Sequence, residues 1–183
     1  LGIHTLIILV NLLFINYFNA EYDLAIFIFS VALILIIFLI YNFPKASIFL
    51  GDSGSYFLGA FIAISVIKTS IANPEISPFY FCILLFYLFF EVFFSFIRKI
   101  VLEKKSPLFP DSKHLHMLLY KWMLKKNNNK LKSNYYVSIL INLSYSILTI
   151  PSFFMMESGL FCKYYSLVFF LAYLFAYKAL SKK

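Results

Sequence analysis

The chain has 183 residues, of which 62% are hydrophobic and 13% are charged, whereas an ordinary soluble domain has about 25% charged residues. This composition excludes a soluble globular protein, because uncharged stretches of about 20 apolar residues cross a bilayer as helices. The formal net charge is +8, but most basic residues lie in one segment between apolar stretches. Topology and anionic lipid explain that distribution better than nucleic-acid binding does.

Six apolar stretches are predicted to be membrane-spanning helices, which makes the fold an all-α polytopic membrane helical bundle. They lack the strict in-and-out alternation of the strands of a membrane barrel. In chain order the predicted spans cover residues 3–18, 24–41, 54–72, 79–97, 135–155 and 162–180.

The basic residues predict the orientation of these spans. Ten of the sixteen Lys and Arg residues lie between Arg98 and Lys132, so the segment 98–134 is expected on the cytoplasmic side. Alternation of the spans then places the segment 42–53 on the same side. The three other connections are expected outside, and they cover residues 19–23, 73–78 and 156–161.

The first cytoplasmic segment ends in the stretch FLGDSGSYFLGA, residues 49–60, at the start of the third predicted span. Asp52 has two interpretations there. It caps the helix, or it holds Mg²⁺, which needs only one or two protein carboxylates beside substrate phosphates. Small residues recur every four positions along the same helix and predict a packing face; they are Ser55, Gly59 and Ala63.

Three further ionisable residues are candidates. Glu91 lies in the fourth predicted span, where a charge is costly unless it faces a protein interior or a polar cavity; both a structural and a functional role remain open. His114 and His116 converge if their segment is extended but diverge by about 200° on a helix. Such a pair alone is more typical of a surface without a ligand. His4, in the first span, gives an even weaker signal.

Two stretches, NFPKASIFLGDSGSYFLGA at 42–60 and SPLFPDSKHLHMLL at 106–119, resemble those of the polyprenyl-phosphate N-acetylhexosamine-1-phosphate transferases, glycosyl transferase family 4. The resemblance implies an enzyme of the bacterial cytoplasmic membrane that transfers N-acetylhexosamine-1-phosphate from a UDP-sugar to polyprenyl (undecaprenyl) phosphate and releases UMP. It implies a cytoplasmic active site, Mg²⁺ or alternatively Mn²⁺ as cofactor, and a place in peptidoglycan, lipopolysaccharide or other cell-envelope polysaccharide synthesis.

The resemblance also implies roles for individual residues. Asp52 matches the acidic residue of the GDSGS motif and is implied to be a catalytic-site carboxylate and Mg²⁺ ligand. His114 and His116 match histidines that are implied to be catalytic and to contact the diphosphate region. Substrate-binding roles are implied for Asn42, Glu91, Asp111 and Lys113.

Two departures from the family pattern affect the second motif. Met117 stands where the family often has a further histidine, and Ser112 stands where an arginine is common. Lys113 can replace the charge of that arginine but not its bidentate geometry.

The resemblance covers residues 1–183 as the C-terminal half of a single transmembrane transferase domain, since the paired-aspartate loop and the DG motif of the family's first half are not found. We expect an N-terminal half as a partner, beside UDP-N-acetylhexosamine, polyprenyl phosphate and membrane lipid; a homodimer is left open. The fragment alone is expected to be inactive. The alternative is a non-catalytic membrane module or transporter fragment, in which these polar residues stabilise helix packing or line a path.

Overall fold

A computed structural model describes residues 1–104, 106 and 111–181 of the protein. Prolines 107 and 110 of the second motif lie outside the described residues. Seven α-helices and one π-helical turn account for most of the described chain. They are α1 (Gly2–Phe18), α2 (Tyr22–Asn42), α3 (Gly51–Ala72), α4 (Pro78–Ile97), the π-helical turn (Arg98–Leu102), α5 (Leu115–Asn127), α6 (Lys130–Phe154) and α7 (Gly159–Ser181).

The predicted all-α membrane bundle is confirmed. Five helices are long and apolar enough to cross a membrane, namely α2, α3, α4 with the start of the π-helical turn, α6 and α7. The remaining predicted span, residues 3–18, corresponds to α1, which is apolar but only 17 residues long. The predicted boundaries agree within a few residues, except that α6 begins at Lys130 and not at residue 135.

The segment 98–134, which is predicted to be cytoplasmic, contains more helix than its composition indicates. Only the centre of the polar stretch KKNNNKLK, residues 125–132, is outside a helix. Asn128 ends α5 in a left-handed conformation with φ +48°, and the Asn129 side chain accepts the Lys132 backbone N–H at 3.0 Å to start α6. Helix α5 packs against α6 and α7, and burial of Leu119 holds it there.

The three connections predicted to lie outside the membrane meet at one end of the bundle. Asn19 donates its side-chain amide to the side chain of Asn73 and to Glu75, the latter at 3.3 Å. Ser77 donates its backbone N–H to the Met156 carbonyl at 2.9 Å. Their common placement agrees with the predicted alternation of the spans.

Helix α1 lies at the centre of the bundle, against α2, α3 and α6. Ile8, Leu9 and Leu12 on this helix have no exposed surface. The face of α3 that packs in the core includes Leu58 and Ile62. The small-residue face predicted from Ser55, Gly59 and Ala63 is therefore wrong within this chain, because Gly59 and Ala63 are exposed.

A buried polar bond joins α1 to α3. The Asn16 amide donates to Thr69 Oγ1 at 2.8 Å and to the Leu12 carbonyl at 2.7 Å, and both residues have no exposed surface. Within the hydrocarbon core of a membrane, an amide that lost this bond would find no water to bond to instead. This bond therefore fixes the two helices against each other.

Replacing Thr69 by Val removes the acceptor while keeping the shape of the side chain. We expect Thr69→Val to lower the free energy of unfolding in detergent by about 0.6 kcal/mol, the average for interhelical hydrogen bonds in membranes. Thr5→Val is the matched control, because the equally buried Thr5 hydroxyl has no partner among the described residues. Equal unfolding free energies for the two variants would contradict the assigned role of the bond.

Candidate functional site

The carboxylate of Glu91 holds the N-terminal end of α5 inside the bundle. Glu91 is buried in α4, and its Oε1 accepts the Leu115 backbone N–H at 2.6 Å. The first N–H groups of a helix have no partner within the helix and attract negative charge. His114, the N-cap residue, makes no side-chain cap bond, so Glu91 supplies that cap from another helix.

Both oxygens of Glu91 have partners within the chain. Oε2 accepts the Tyr173 hydroxyl of α7 at 3.0 Å, and Oε1 lies 3.1 Å from His114 Nδ1. His116 Nδ1 is 3.9 Å from the same oxygen. The expectation that Glu91 faces a protein interior or a polar cavity is confirmed, and its contact with substrate stays a prediction.

The two histidines of the second motif converge, as expected for an extended segment. The His114 backbone is extended, with φ −61° and ψ 151°, and α5 begins at the next residue. The rings of His114 and His116 stack with their centroids 5.6 Å apart and their planes 12° apart. Burial lowers the pKa of His116, with Glu91 opposing and His114 adding to the shift.

A network of charges joins Asp111 and Lys113 of the second motif to residues at and after the end of α4. The buried guanidinium of Arg98 contacts the carboxylates of Asp111 and Glu103, and Ser95 donates its hydroxyl to Asp111. Lys113 Nζ lies 2.8 Å from Glu103. Burial raises the pKa of Asp111, but hydrogen bonds from Ser95 and the Lys113 backbone N–H, together with Arg98, outweigh it and lower that pKa.

Two residues of this network, Asp111 and Lys113, are among those that the resemblance implies to bind substrate. Asp111 and Lys113 both have partners within the chain, so their first role in the structure is to hold the segment before the histidines. Lys113 remains half exposed and thus accessible to an anion. Substrate binding by the two residues stays a prediction.

A cavity of about 460 Å³ brings three of the predicted residues together. Asn42 at the end of α2, Glu91 in α4 and His116 in α5 all line it. Asn42 also donates its side-chain amide to the Ile48 carbonyl at 2.6 Å, which closes the connection between α2 and α3. The two sequence motifs therefore meet at one place in the fold.

Asp52 lies outside the lining of this cavity. It is exposed in the first turn of α3, and its carboxylate has no hydrogen bond or ion pair with any residue that the structure describes. The N-cap position is Leu50, without a side-chain cap bond. The interpretation of Asp52 as a helix cap is therefore wrong, and its carboxylate is free for another partner.

The metal-binding interpretation of Asp52 depends on a single carboxylate. Within residues 1–104, 106 and 111–181 there is no group of three or more His, Cys, Asp or Glu side chains placed to hold a metal ion. A lone free carboxylate still fits Mg²⁺, which takes phosphate oxygens and water as its other ligands. It does not fit a metal held by a complete cage of protein ligands.

Sequence reasoning missed two residues of the site. Tyr173 donates a hydrogen bond to Glu91 but lies 82 positions away in the sequence. Its helix was predicted only as an apolar membrane span. His4 lines the same cavity from α1, although its position in the first span gave little reason to select it. The signal that both residues share is a polar side chain within a predicted apolar span.

Comparisons with known proteins point in the same direction as the motifs. The family model of glycosyl transferase family 4 matches residues 1–70, a range that contains Asn42 and Asp52 but not the histidine motif. No solved structure matches the chain.

Two curated relatives match 87 residues each. One is the undecaprenyl-phosphate alpha-N-acetylglucosaminyl 1-phosphate transferase of Thermotoga maritima, with 41% identity over 48% of this chain and 28% of the relative. The other is the probable undecaprenyl-phosphate N-acetylglucosaminyl 1-phosphate transferase of Bacillus subtilis, with 40% identity over 43% of this chain and 22% of the relative. The matched part thus spans less than a third of either relative. The resemblance drawn from the motifs is confirmed: residues 1–70 match the model of glycosyl transferase family 4, and both relatives match just under half of this chain.

Proposed function

We propose that the chain is the C-terminal half of a membrane transferase that moves N-acetylhexosamine-1-phosphate from a UDP-sugar to polyprenyl phosphate. The reaction takes place on the cytoplasmic face of the bacterial membrane and releases UMP. The names of the two relatives support the lipid phosphate acceptor and the sugar-phosphate group. The observation that carries the proposal is the junction of the two motifs, where Asn42, Glu91 and His116 line one cavity.

The chemistry required is phosphoryl transfer between two anions. An oxygen of the lipid phosphate attacks the phosphorus that bears the sugar, and the bond from that phosphorus to the UMP oxygen breaks. Such transfer depends on alignment and charge neutralisation more than on covalent help from the protein. Bound Mg²⁺, with Asp52 as its ligand from this chain, would supply neutralising charge to the phosphates.

The remaining groups of this chain bind and orient. His114 and His116 present stacked rings at the start of α5, where ring N–H groups can donate to phosphate oxygens. Lys113 adds a half-exposed cation immediately before them. The site therefore offers donors on one side and the free carboxylate of Asp52 near the surface of the bundle.

Asp52→Asn in the full-length protein tests the proposed metal ligand. We expect the rate of UMP release to fall about a hundredfold or more, since the amide keeps the size but not the charge that would hold Mg²⁺. The control is Asp23→Asn, because Asp23 is an equally exposed aspartate in the first turn of α2. The assay measures UMP release from UDP-N-acetylglucosamine with undecaprenyl phosphate and Mg²⁺.

A wild-type protein without UMP release would favour the non-catalytic membrane module. Activity of Asp52→Asn close to that of wild type would remove Asp52 from the site while leaving the transferase intact.

Glu91→Gln tests whether this carboxylate positions the histidines. A glutamine removes the negative charge and replaces one acceptor oxygen by a donor, so Tyr173 must accept where it now donates, or the bond to the start of α5 is lost. We expect kcat to fall about tenfold. Because Glu91 and Tyr173 act through one contact, we expect the double variant Glu91→Gln/Tyr173→Phe to be no worse than Glu91→Gln.

Tyr177→Phe, one turn further along α7, is the control for the tyrosine change. A purely structural role for Glu91 would lower the unfolding temperature of the double variant below that of either single variant and leave kcat unchanged per folded molecule. Additive losses in kcat would also contradict positioning through the shared contact.

A further inference from the structure

The cavity that holds Glu91 and His116 has a second, uncharged polar end formed by His4, Tyr87 and Asn142. His4 is 3% exposed, and its ring lies between two tyrosine rings, with centroids 5.1 Å from Tyr87 and 4.1 Å from Tyr145. Those contacts hold the imidazole at the edge of the cavity from two sides. The three polar residues come from α1, α4 and α6, so the cluster forms only in the folded bundle.

Although the Asn142 side chain lies close enough to influence the His4 ring, four polar atoms of this cluster make no hydrogen bond of normal geometry with any described residue. They are both ring nitrogens of His4, the hydroxyl of Tyr87 and Oδ1 of Asn142. The Asn142 amide nitrogen donates to the Ser138 carbonyl at 2.8 Å, which fixes the direction of the free oxygen. Buried polar atoms without partners are costly, and a cavity beside them gives room for a group that satisfies them.

The charge around the cavity argues against a phosphate at this end. No Lys or Arg is among its lining residues in the described part of the chain, and the ionisable side chain nearest to the cluster along α4 is Glu91, one turn after Tyr87. The cations of the second motif are bound elsewhere, Arg98 to Asp111 and Lys113 to Glu103. An anion at this end would thus meet no Lys or Arg side chain as a countercharge.

We propose that His4, Tyr87 and Asn142 bind an uncharged group of the nucleotide sugar that both donates and accepts hydrogen bonds, an amide or imide. The inference rests on the proposed function and names the part of the donor that this end of the cavity recognises. Asn142 Oδ1 can only accept, whereas the Tyr87 hydroxyl and a neutral imidazole each donate or accept. In a UDP-N-acetylhexosamine this chemistry occurs twice, in the acetamido group of the sugar and in the uracil base.

Tyr87→Phe is the variant that tests the proposal, because it removes one hydroxyl and keeps the ring that contacts His4. The measurement is the Kd of the purified full-length protein, with Mg²⁺, for UDP-N-acetylglucosamine, UDP-glucose and UMP. His4→Phe is the second variant and removes both ring nitrogens. Tyr80→Phe is the control, since Tyr80 is a buried tyrosine of the same helix whose hydroxyl contacts Asn11 and which does not line the cavity.

We expect the Kd for UDP-N-acetylglucosamine to rise roughly three- to tenfold in Tyr87→Phe and His4→Phe, as for loss of a hydrogen bond, and to stay unchanged in Tyr80→Phe. If the Kd values for UDP-glucose and UMP stay unchanged, the group is the acetamide. If the Kd for UMP rises equally, the group is the base.

An unchanged Kd for all three ligands in the folded variants would overturn the inference and leave water as the occupant. Wild-type protein that binds no nucleotide would overturn it as well. Binding without UMP release would refute the proposed reaction alone, because the Kd comparison does not depend on turnover.

Discussion

The bond from the Glu91 carboxylate to the start of α5 is the interaction on which the rest of the site depends. One oxygen accepts the Leu115 backbone N–H and faces His114, while the other accepts the Tyr173 hydroxyl. A carboxylate in a membrane helix is costly unless several donors satisfy it. Here the donors come from α5 and α7, so the satisfaction of one charge joins three helices and sets the direction of both histidine rings.

The site separates charged from uncharged binding groups. Arg98, Glu103 and Asp111 neutralise one another beside the histidines. Asp52 is exposed and has no ion pair with a described residue, and Lys113 pairs with Glu103 while its side chain stays half exposed. The interior end of the cavity carries only imidazole, phenol and amide groups. This arrangement suits a ligand with a charged centre and a neutral polar end, as a nucleotide sugar has.

Local patterns predicted the spans and the meeting of the motifs because apolar length and basic charge act through short stretches of chain. The spacing of the HxH pair left its geometry open, because two rings two positions apart converge on an extended segment and diverge on a helix. The rings stack in the structure, where His114 is extended and α5 begins at Leu115. The role of Tyr173 was not predictable, because its contact with Glu91 joins residues 82 positions apart. The prediction of a small-residue packing face on α3 was wrong within this chain, because a sequence pattern does not say which neighbour lies opposite. Helix α5 was not predicted, because the lysines and asparagines at its end are typical of a loop.

The place of Tyr173 has a consequence for the biogenesis of the protein. Helix α7 follows every other described helix in the chain, so it is the last of them to leave the ribosome and enter the bilayer. Until then the buried carboxylate of Glu91 lacks one of its donors, and the surface of α4 that packs against α7 is without its neighbour. The hydrogen bond from Tyr173 to Glu91, the residue that contacts His114, therefore forms only late in membrane insertion. By then all the polar residues of the cavity have been synthesised.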